Sequence, residues 1–225
     1  MKRWPVHLRA RRCAHLCRLL SIAFVTLLCC DFAWAAPVAT VQAVAGQFRV
    51  KRRSAASFAA AGVRTNLNVG DFASTGPNSK ASLLFNNGSQ LRLNSNSTIE
   101  ITSPSPVGKG KRSLFRAVSG EVWARLRPGQ AAQTRSAIAG VRGTEFILAV
   151  APDETSTLTV VEGAVEFFNE FGDVTVGESQ RSVARLGSAP TAPVTIDNAG
   201  FLLEWTLDLE RAALPRETVF VSRSP

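Results

Sequence analysis

Four glutamates in the centre of the sequence are the residues whose type could support a reaction. They are Glu121, Glu145, Glu162 and Glu166. Two carboxyl groups can hydrolyse a glycosidic bond, one as general acid and the other as nucleophile. Glu162 and Glu166 are four residues apart and would share a strand face, but Gly163 and the apolar alternation place them equally well on a solvated face. We therefore expect no enzyme and no catalytic residue.

Histidine and cysteine, which most other side-chain chemistry requires, are confined to the first 35 residues. His7, His15 and all four cysteines lie there. The remaining 190 of the 225 residues contain no His, Cys, Met or Tyr. A Ser-His-Asp or Cys-His arrangement and a zinc site built on imidazole or thiolate are therefore excluded, and no glycine loop ends in Lys-Ser or Lys-Thr. We expect no metal and no cofactor.

Residues 1–35 have the three parts of a secretory signal peptide. Six basic residues precede the apolar run Leu19–Cys30, and Ala33-Trp34-Ala35 supplies the small residues of a cleavage site. A run of this length is too short for a good membrane span. We expect cleavage after Ala35 and a periplasmic or secreted protein. The alternatives are a retained anchor, which would hold the protein at the membrane, and lipid attachment at one of the cysteines that end the run.

The charge balance changes when this leader is removed. Lys plus Arg falls from 26 to 20 and Asp plus Glu from 17 to 16, so the formal net charge falls from +9 to +4. A modest positive charge suits an ordinary solvated surface or a weak attraction to anionic envelope polymers. We expect no nucleic-acid partner.

From Pro37 onward the pattern predicts strands separated by turns. Apolar and polar residues alternate with period two, as in half-buried strands, and Asn87-Gly88 is a strong hairpin signal between two such runs. The stretches 117–126 and 160–169 resemble each other in having a glycine step between two strand patterns, which suggests layered hairpins. The pattern indicates an all-β fold over residues 36–190, a single β-sandwich or β-roll domain built of hairpins.

The last 35 residues differ from this pattern. Over residues 191–225 a linker rich in Pro and Ala leads into a predicted C-terminal α-helix with an apolar stripe, which a proline ends. Asp197 or Asn198 can cap it. The helix would dock on the domain or bind a partner. The stripe consists of Leu202, Leu203, Trp205 and Leu209.

The step Arg142-Gly143-Thr144-Glu145 stands directly before the apolar run Phe146–Val150. On a regular strand Arg142 and Glu145 would point to opposite faces. A glycine bulge at Gly143 would bring both charges to one face, where they could pair while alternate residues of the run enter the core. We expect this step to be a structural motif or a partner contact.

Two further features suggest a surface that binds a ligand. The loop with Lys109, Lys111 and Arg112 is basic, and Trp123 is an aromatic residue that could be exposed. Together they could hold an anionic glycan or peptidoglycan. For the loop we expect a solvated tip whose charge discourages strand pairing at an edge, and an anion site is the alternative.

Four ordered blocks of the sequence resemble the FecR domain family. Their coverage is about Gly70 to Leu186, and the Arg-Gly-Thr-Glu-Phe block is the most specific of them. The blocks are "GDFASTGPNSKASLLFNNGSQLRL", "SGEVWARLRPG", "TRSAIAGVRGTEFILAV" and "LTVVEGAVEF".

The resemblance implies a non-enzymatic, extracytoplasmic all-β module of the bacterial envelope that takes part in signalling through protein-protein interaction. The best-known members are iron-transport regulators that pass a signal through a membrane helix to a cytoplasmic segment. About eighteen residues precede the apolar run, so we expect a stand-alone form without the cytoplasmic anti-sigma segment. An envelope protein partner, bound at a strand edge, is the first expectation. A structural or glycan-binding envelope protein is the alternative.

Overall fold

A computed structural model describes residues 36–197 together with residues 205 and 206. All the described residues belong to one compact unit, which begins at Ala36. They form seventeen strands, whose pairings define two sheets that share one long strand. In this described part, no helix has the length and apolar character needed to cross a membrane.

The first sheet, sheet A, contains nine strands, one of which is half of a longer strand. All of its strand pairs are antiparallel. In spatial order it contains β4 (Asn66–Leu67), β1 (Ala39–Ala45), β6 (Lys80–Phe85), β7 (Gln90–Leu93), the second half of β9 (Arg112–Leu126), β12 (Thr144–Val150), β13 (Ser156–Glu162), β16 (Gln180–Ala184) and β17 (Val194–Thr195).

The second sheet, sheet B, contains the other strands and the first half of β9. Its one parallel pair within the described residues joins β9 to β10. In spatial order it contains β3 (Ala59–Ala60), β2 (Phe48–Lys51), β5 (Phe72–Thr75), β8 (Thr98–Pro106), β9, β10 (Gln130–Gln133), β11 (Ile138–Val141), β14 (Val165–Asn169) and β15 (Gly172–Val176).

Strand β9 belongs to both sheets because it turns a corner at Gly120. The glycine has φ +81°, and a Cβ added to it would lie 2.6 Å from the Cα atom of Ser97. An L-residue is strained at this φ, and here it would also collide with backbone. Gly120 therefore lets one strand pass from sheet B to sheet A.

The core lies between the two sheets, where alternate residues of both inner faces meet. On β12, Phe146, Leu148 and Val150 belong to the buried cluster, whereas Ile147 lies outside it. The same alternation on other strands supplies one continuous apolar cluster, as expected for half-buried strands. Its largest fully buried side chains are Phe115, Phe146, Phe167, Leu67, Leu83, Leu91, Leu93, Ile99, Ile101, Leu148 and Leu158.

This architecture confirms the predicted all-β sandwich or roll. The Asn87-Gly88 hairpin is also confirmed, because β6 and β7 pair across it and Gly88 donates its N–H to the carbonyl of Phe85 at 2.9 Å. The predicted C-terminal helix lies outside the described residues except for Trp205 and Thr206, whose backbone is helical.

The two similar stretches of the sequence, 117–126 and 160–169, each contain a point where the chain passes from one sheet to the other. Gly120 is the point where β9 changes sheets, and Gly163, with φ +84°, connects β13 of sheet A to β14 of sheet B. The recurrence in the sequence therefore reflects two corners between layers.

Candidate functional site

A row of side chains crosses the outer face of sheet A. Cα pairing places Arg92 beside Trp123, Trp123 beside Ile147, Ile147 beside Thr159, and Thr159 beside Arg181. We call these five residues the Trp123 row. Because the chain neighbours of the first four residues enter the core, the row faces away from sheet B.

Glu145 lies next to this row and is bound by two donors. The Nε1 atom of Trp123 donates to its Oε1 at 2.8 Å, and Arg125 donates to its Oε2 from Nη2 at 2.6 Å and from Nε at 3.2 Å. Glu145 is only 8% exposed. A buried carboxylate is tolerated when charge-assisted bonds satisfy both of its oxygens, and that is the arrangement here. We call Trp123, Arg125 and Glu145 the Glu145 cluster.

Arginine side chains also lie over the indole ring of Trp123. The Cζ atom of Arg92 is 4.5 Å from the ring centroid, and that of Arg125 is 5.6 Å from it. Both distances allow a cation–π attraction. Trp123 is 2% exposed, so the expectation of a solvent-exposed aromatic residue at this position is wrong.

The predicted pairing of Arg142 with Glu145 is also wrong. Glu145 on β12 lies directly opposite Arg125 on β9. Its carboxylate therefore forms an ion pair with Arg125. Arg142 is exposed, and it forms no ion pair with any of the described residues. Gly143 is not a bulge inside a strand, because it connects β11 of sheet B to β12 of sheet A with φ +93°. The bulge lies on β13, where Val161 is left out of the register with β12.

Thr144 occupies the start of β12 and is 3% exposed. A Cβ on Gly163 would lie 2.9 Å from its Cγ2 atom, so a glycine at that position makes room for it. The Oγ1 atom of Thr144 is buried and has no hydrogen-bond partner among the described residues. A polar depression of about 540 Å³ adjoins this corner, and its lining includes Arg127 and Glu162.

The four glutamates considered for carboxylate chemistry do not converge. Glu145 and Glu162 are Cα partners on β12 and β13, but both oxygens of Glu145 already accept hydrogen bonds. Glu121 accepts a hydrogen bond from Asn94 Nδ2 at 2.9 Å, and Glu166 lies on sheet B. Within the described residues, no group of His, Cys, Asp or Glu side chains could hold a metal ion.

The basic loop is bound back onto the domain. Lys109 Nζ lies 2.8 Å from Glu166 Oε1 and 3.3 Å from Asp173 Oδ1, and Lys111 Nζ donates to the carbonyl of Val141 at 3.1 Å. The hydrogen bond with Glu166, aided by the one with Asp173, raises the pKa of Lys109 above its ordinary value. These cations are therefore engaged within the protein.

Sheet B carries a groove that sequence patterns did not single out. Its volume is about 720 Å³, and its lining includes Val118, Phe171 and Leu186, which are 44%, 52% and 50% exposed. Arg116 with Glu100 forms an ion pair at 3.2 Å in the same groove. Val118 could have been found from the sequence, because it is an apolar residue at an outward position of an alternating strand.

Residues 71–166 match the family model described as FecR protein. The match begins one residue after the start of the sequence resemblance and ends in β14, before Leu186. No curated protein matches the chain.

Among solved structures, the chain is similar to two crystal structures of a "putative anti-sigma factor" from Parabacteroides distasonis ATCC 8503. The first is 18% identical, with a TM-score of 0.49, and the match covers 60% of this chain and 64% of that one. The second is 16% identical, with a TM-score of 0.48, and the match covers 59% and 63%. The chain thus spans less than two thirds of either solved chain. The family match therefore supports a FecR domain over residues 71–166, the part of the chain that contains the Glu145 cluster.

Proposed function

We propose that this protein is a non-enzymatic, extracytoplasmic interaction module that relays a signal by binding another protein of the bacterial envelope. The FecR domain and the signal-peptide pattern of residues 1–35 support this assignment. Three of the four candidate glutamates are engaged in structural contacts, which favours binding over catalysis.

The observation that carries the proposal is the exposed apolar groove on sheet B. Val118, Phe171 and Leu186 present large apolar surfaces to solvent within one depression. Apolar patches with a polar rim are typical of protein-binding surfaces, and the ion pair of Arg116 and Glu100 lies at this groove. Val118 lies on strand β9, whereas Phe171 and Leu186 lie on the loops that border the groove.

The adjacent edge of sheet B supplies a means of attachment. Within the described residues, β15 has a ladder partner on one side only, where it pairs with β14. A partner segment could add a strand to the free edge. Phe171 directly precedes β15, so apolar side chains of such a segment would enter the groove while its backbone pairs with β15.

The test is site-specific photocrosslinking in cells. A photoreactive residue at position 118 or 171 should capture one specific envelope protein, and Val118→Glu should abolish capture by a probe at position 171. Val63→Glu is the matched control, because Val63 is 55% exposed and does not line the groove. Capture that survives Val118→Glu would exclude the groove as the binding surface.

Two further changes to this experiment distinguish protein binding in the groove from glycan binding by the basic loop. A glycan held by the basic loop should be lost when Lys109, Lys111 and Arg112 are neutralised and when the salt concentration rises. Binding of a protein partner in the groove should persist under both changes. Retention of polysaccharide alone, with no protein captured at positions 118 or 171, would overturn the proposed function.

A further inference from the structure

Three residues in the middle of the outer face of sheet A are buried although they face away from the core. Trp123, Ile147 and Thr159 are 2%, 3% and 3% exposed. Each lies between two core residues on its strand and therefore points away from sheet B. Among the described residues, no strand lies over this face, because every strand belongs to one of the two sheets.

Arginine side chains account for part of this burial. Arg92 and Arg125 lie over the indole of Trp123, and Arg181 Nε donates to Thr159 Oγ1 at 3.1 Å. None of these contacts covers Ile147, which lies in the middle of the row between Trp123 and Thr159. A further apolar element is needed there.

We propose that residues 198–214 cover the Trp123 row as an amphipathic helix. The chain reaches this face at the required point. β17 pairs with β16 so that Val194 lies beside Arg181, and the N–H of Ile196 donates to the carbonyl of Ser179 at 2.9 Å. The segment therefore leaves sheet A at the end of the row.

The length of the segment fits the width of the row. Seventeen residues in an α-helix extend about 25 Å. From β16 to β7 the row crosses four strand spacings, which amount to about 19 Å. One helix starting beside Arg181 can therefore reach Arg92.

The apolar stripe of the segment is directed at a surface. In a helix, Leu202, Thr206 and Leu209 lie on one side. Thr206 is helical and 3% exposed, so this residue is covered. Trp205, next to it, has an indole nitrogen that is buried without a partner among the described residues. Trp205 and Thr206 thus have the burial that the proposed docking of the stripe requires.

Charge complementarity favours this segment over a second copy of the chain or another protein. The Trp123 row and its neighbour supply the cations Arg92, Arg125 and Arg181. Between positions 198 and 214, the acids are Glu204, Asp208 and Glu210, and the only base is Arg211. Asp208 and Glu210 flank the stripe on its two sides in a helix, where they can approach the arginines.

The experiment measures access to the face in the full chain. Ile147→Cys is treated with a maleimide, and labelling at position 147 is followed by mass spectrometry. Labelling should be slow in this background and should rise tenfold or more when Leu209→Glu is added, equivalent to about 1.4 kcal/mol or more in the opening equilibrium. Leu207→Glu makes the same chemical change about 160° away around the helix, and it should leave the rate unchanged.

A milder variant tests the same contact if Leu209→Glu does not fold. Asp208→Lys with Glu210→Lys keeps the apolar stripe and reverses its flanking charges, so labelling at position 147 should again rise. Fast labelling of Ile147→Cys with no further change, or equal rates in all variants, would overturn the proposal. A rate that falls as the protein concentration increases would show that a second copy covers the face, and it would also overturn the proposal. Photocrosslinking through the sheet B groove is independent of these outcomes.

Discussion

The indole nitrogen of Trp123 lies 2.8 Å from Oε1 of Glu145, although the two residues are 22 positions apart in the sequence. Arg125 binds the other oxygen of the same carboxylate at 2.6 Å. The acid of the Arg-Gly-Thr-Glu step therefore joins β12 to β9, whereas its arginine remains in solvent.

This difference between the two arginines can be measured. Arg125→Ala should lower the free energy of unfolding by about 1–3 kcal/mol, because it leaves a buried carboxylate with one partner fewer. Arg142→Ala should change it by no more than about 0.5 kcal/mol, as for other exposed side chains. Urea unfolding of both variants is the measurement. A larger loss for Arg142→Ala would restore the pairing predicted from the sequence. Stable Arg142→Ala protein that no longer binds the envelope partner would make this residue a contact site.

Replacement by alanine should cost more stability at Gly120 than at Gly129, a glycine with the same φ. Gly120 and Gly129 both have φ +81°, but a Cβ meets nothing within 4 Å at Gly129 and meets Ser97 at Gly120. Gly129→Ala should cost about 1–2 kcal/mol from backbone strain alone. Gly120→Ala should cost about 2–5 kcal/mol, because overpacking against Ser97 adds to that strain. Thermal and urea unfolding of both variants measure these losses. Equal losses would show that the backbone at Ser97 moves aside easily.

Replacement by valine should change the stability of the protein differently at two buried threonines. Thr75 donates from Oγ1 to the carbonyl of Asn94 and accepts from the N–H of Ser97, so Thr75→Val should lose about 1–3 kcal/mol. Thr144 has no such partner among the described residues, so Thr144→Val should be neutral or slightly stabilising. Differential scanning calorimetry measures both. A Thr144→Val variant that is stable yet fails to bind the partner would show that this hydroxyl serves recognition.

The ion pair at the basic loop should give a pH dependence of defined sign. The folded-state pKa of Lys109 is raised above 10.5, chiefly by the hydrogen bond with Glu166. Its contribution to stability is therefore complete below pH 10.5 and is lost as the pH rises through the folded-state pKa. The difference in unfolding free energy between the parent and Lys109→Gln should shrink over that range.

Arg135→Gln is the control for this experiment. Arg135 pairs with Glu154 at 2.8 Å on the surface, and a guanidinium group keeps its charge throughout the range. Its effect on stability should not vary with pH there. An effect of Lys109→Gln that is equally constant would contradict the proposed ionic role of Lys109.

Local patterns predicted the elements of this fold well. Leu91 and Leu93 are fully buried on β7, and Gln90 and Arg92 alternate with them on the other face, as period two requires. The hairpin at Asn87-Gly88 follows from local turn chemistry. The glycines at the corners were visible as well, but their role was not, because a change of sheet depends on contacts with distant strands such as that of Gly120 with Ser97.

The sequence by itself determined which residues face the core in alternating strands such as β7, because there the choice depends only on the alternation of neighbouring side chains. It also determined which chemistry the region after residue 35 lacks, because that region contains neither histidine nor cysteine. The tertiary structure decided which charges meet. Glu145 binds Arg125 instead of Arg142 because the register of β12 against β9 places them opposite each other, and pairing between strands is a long-range property.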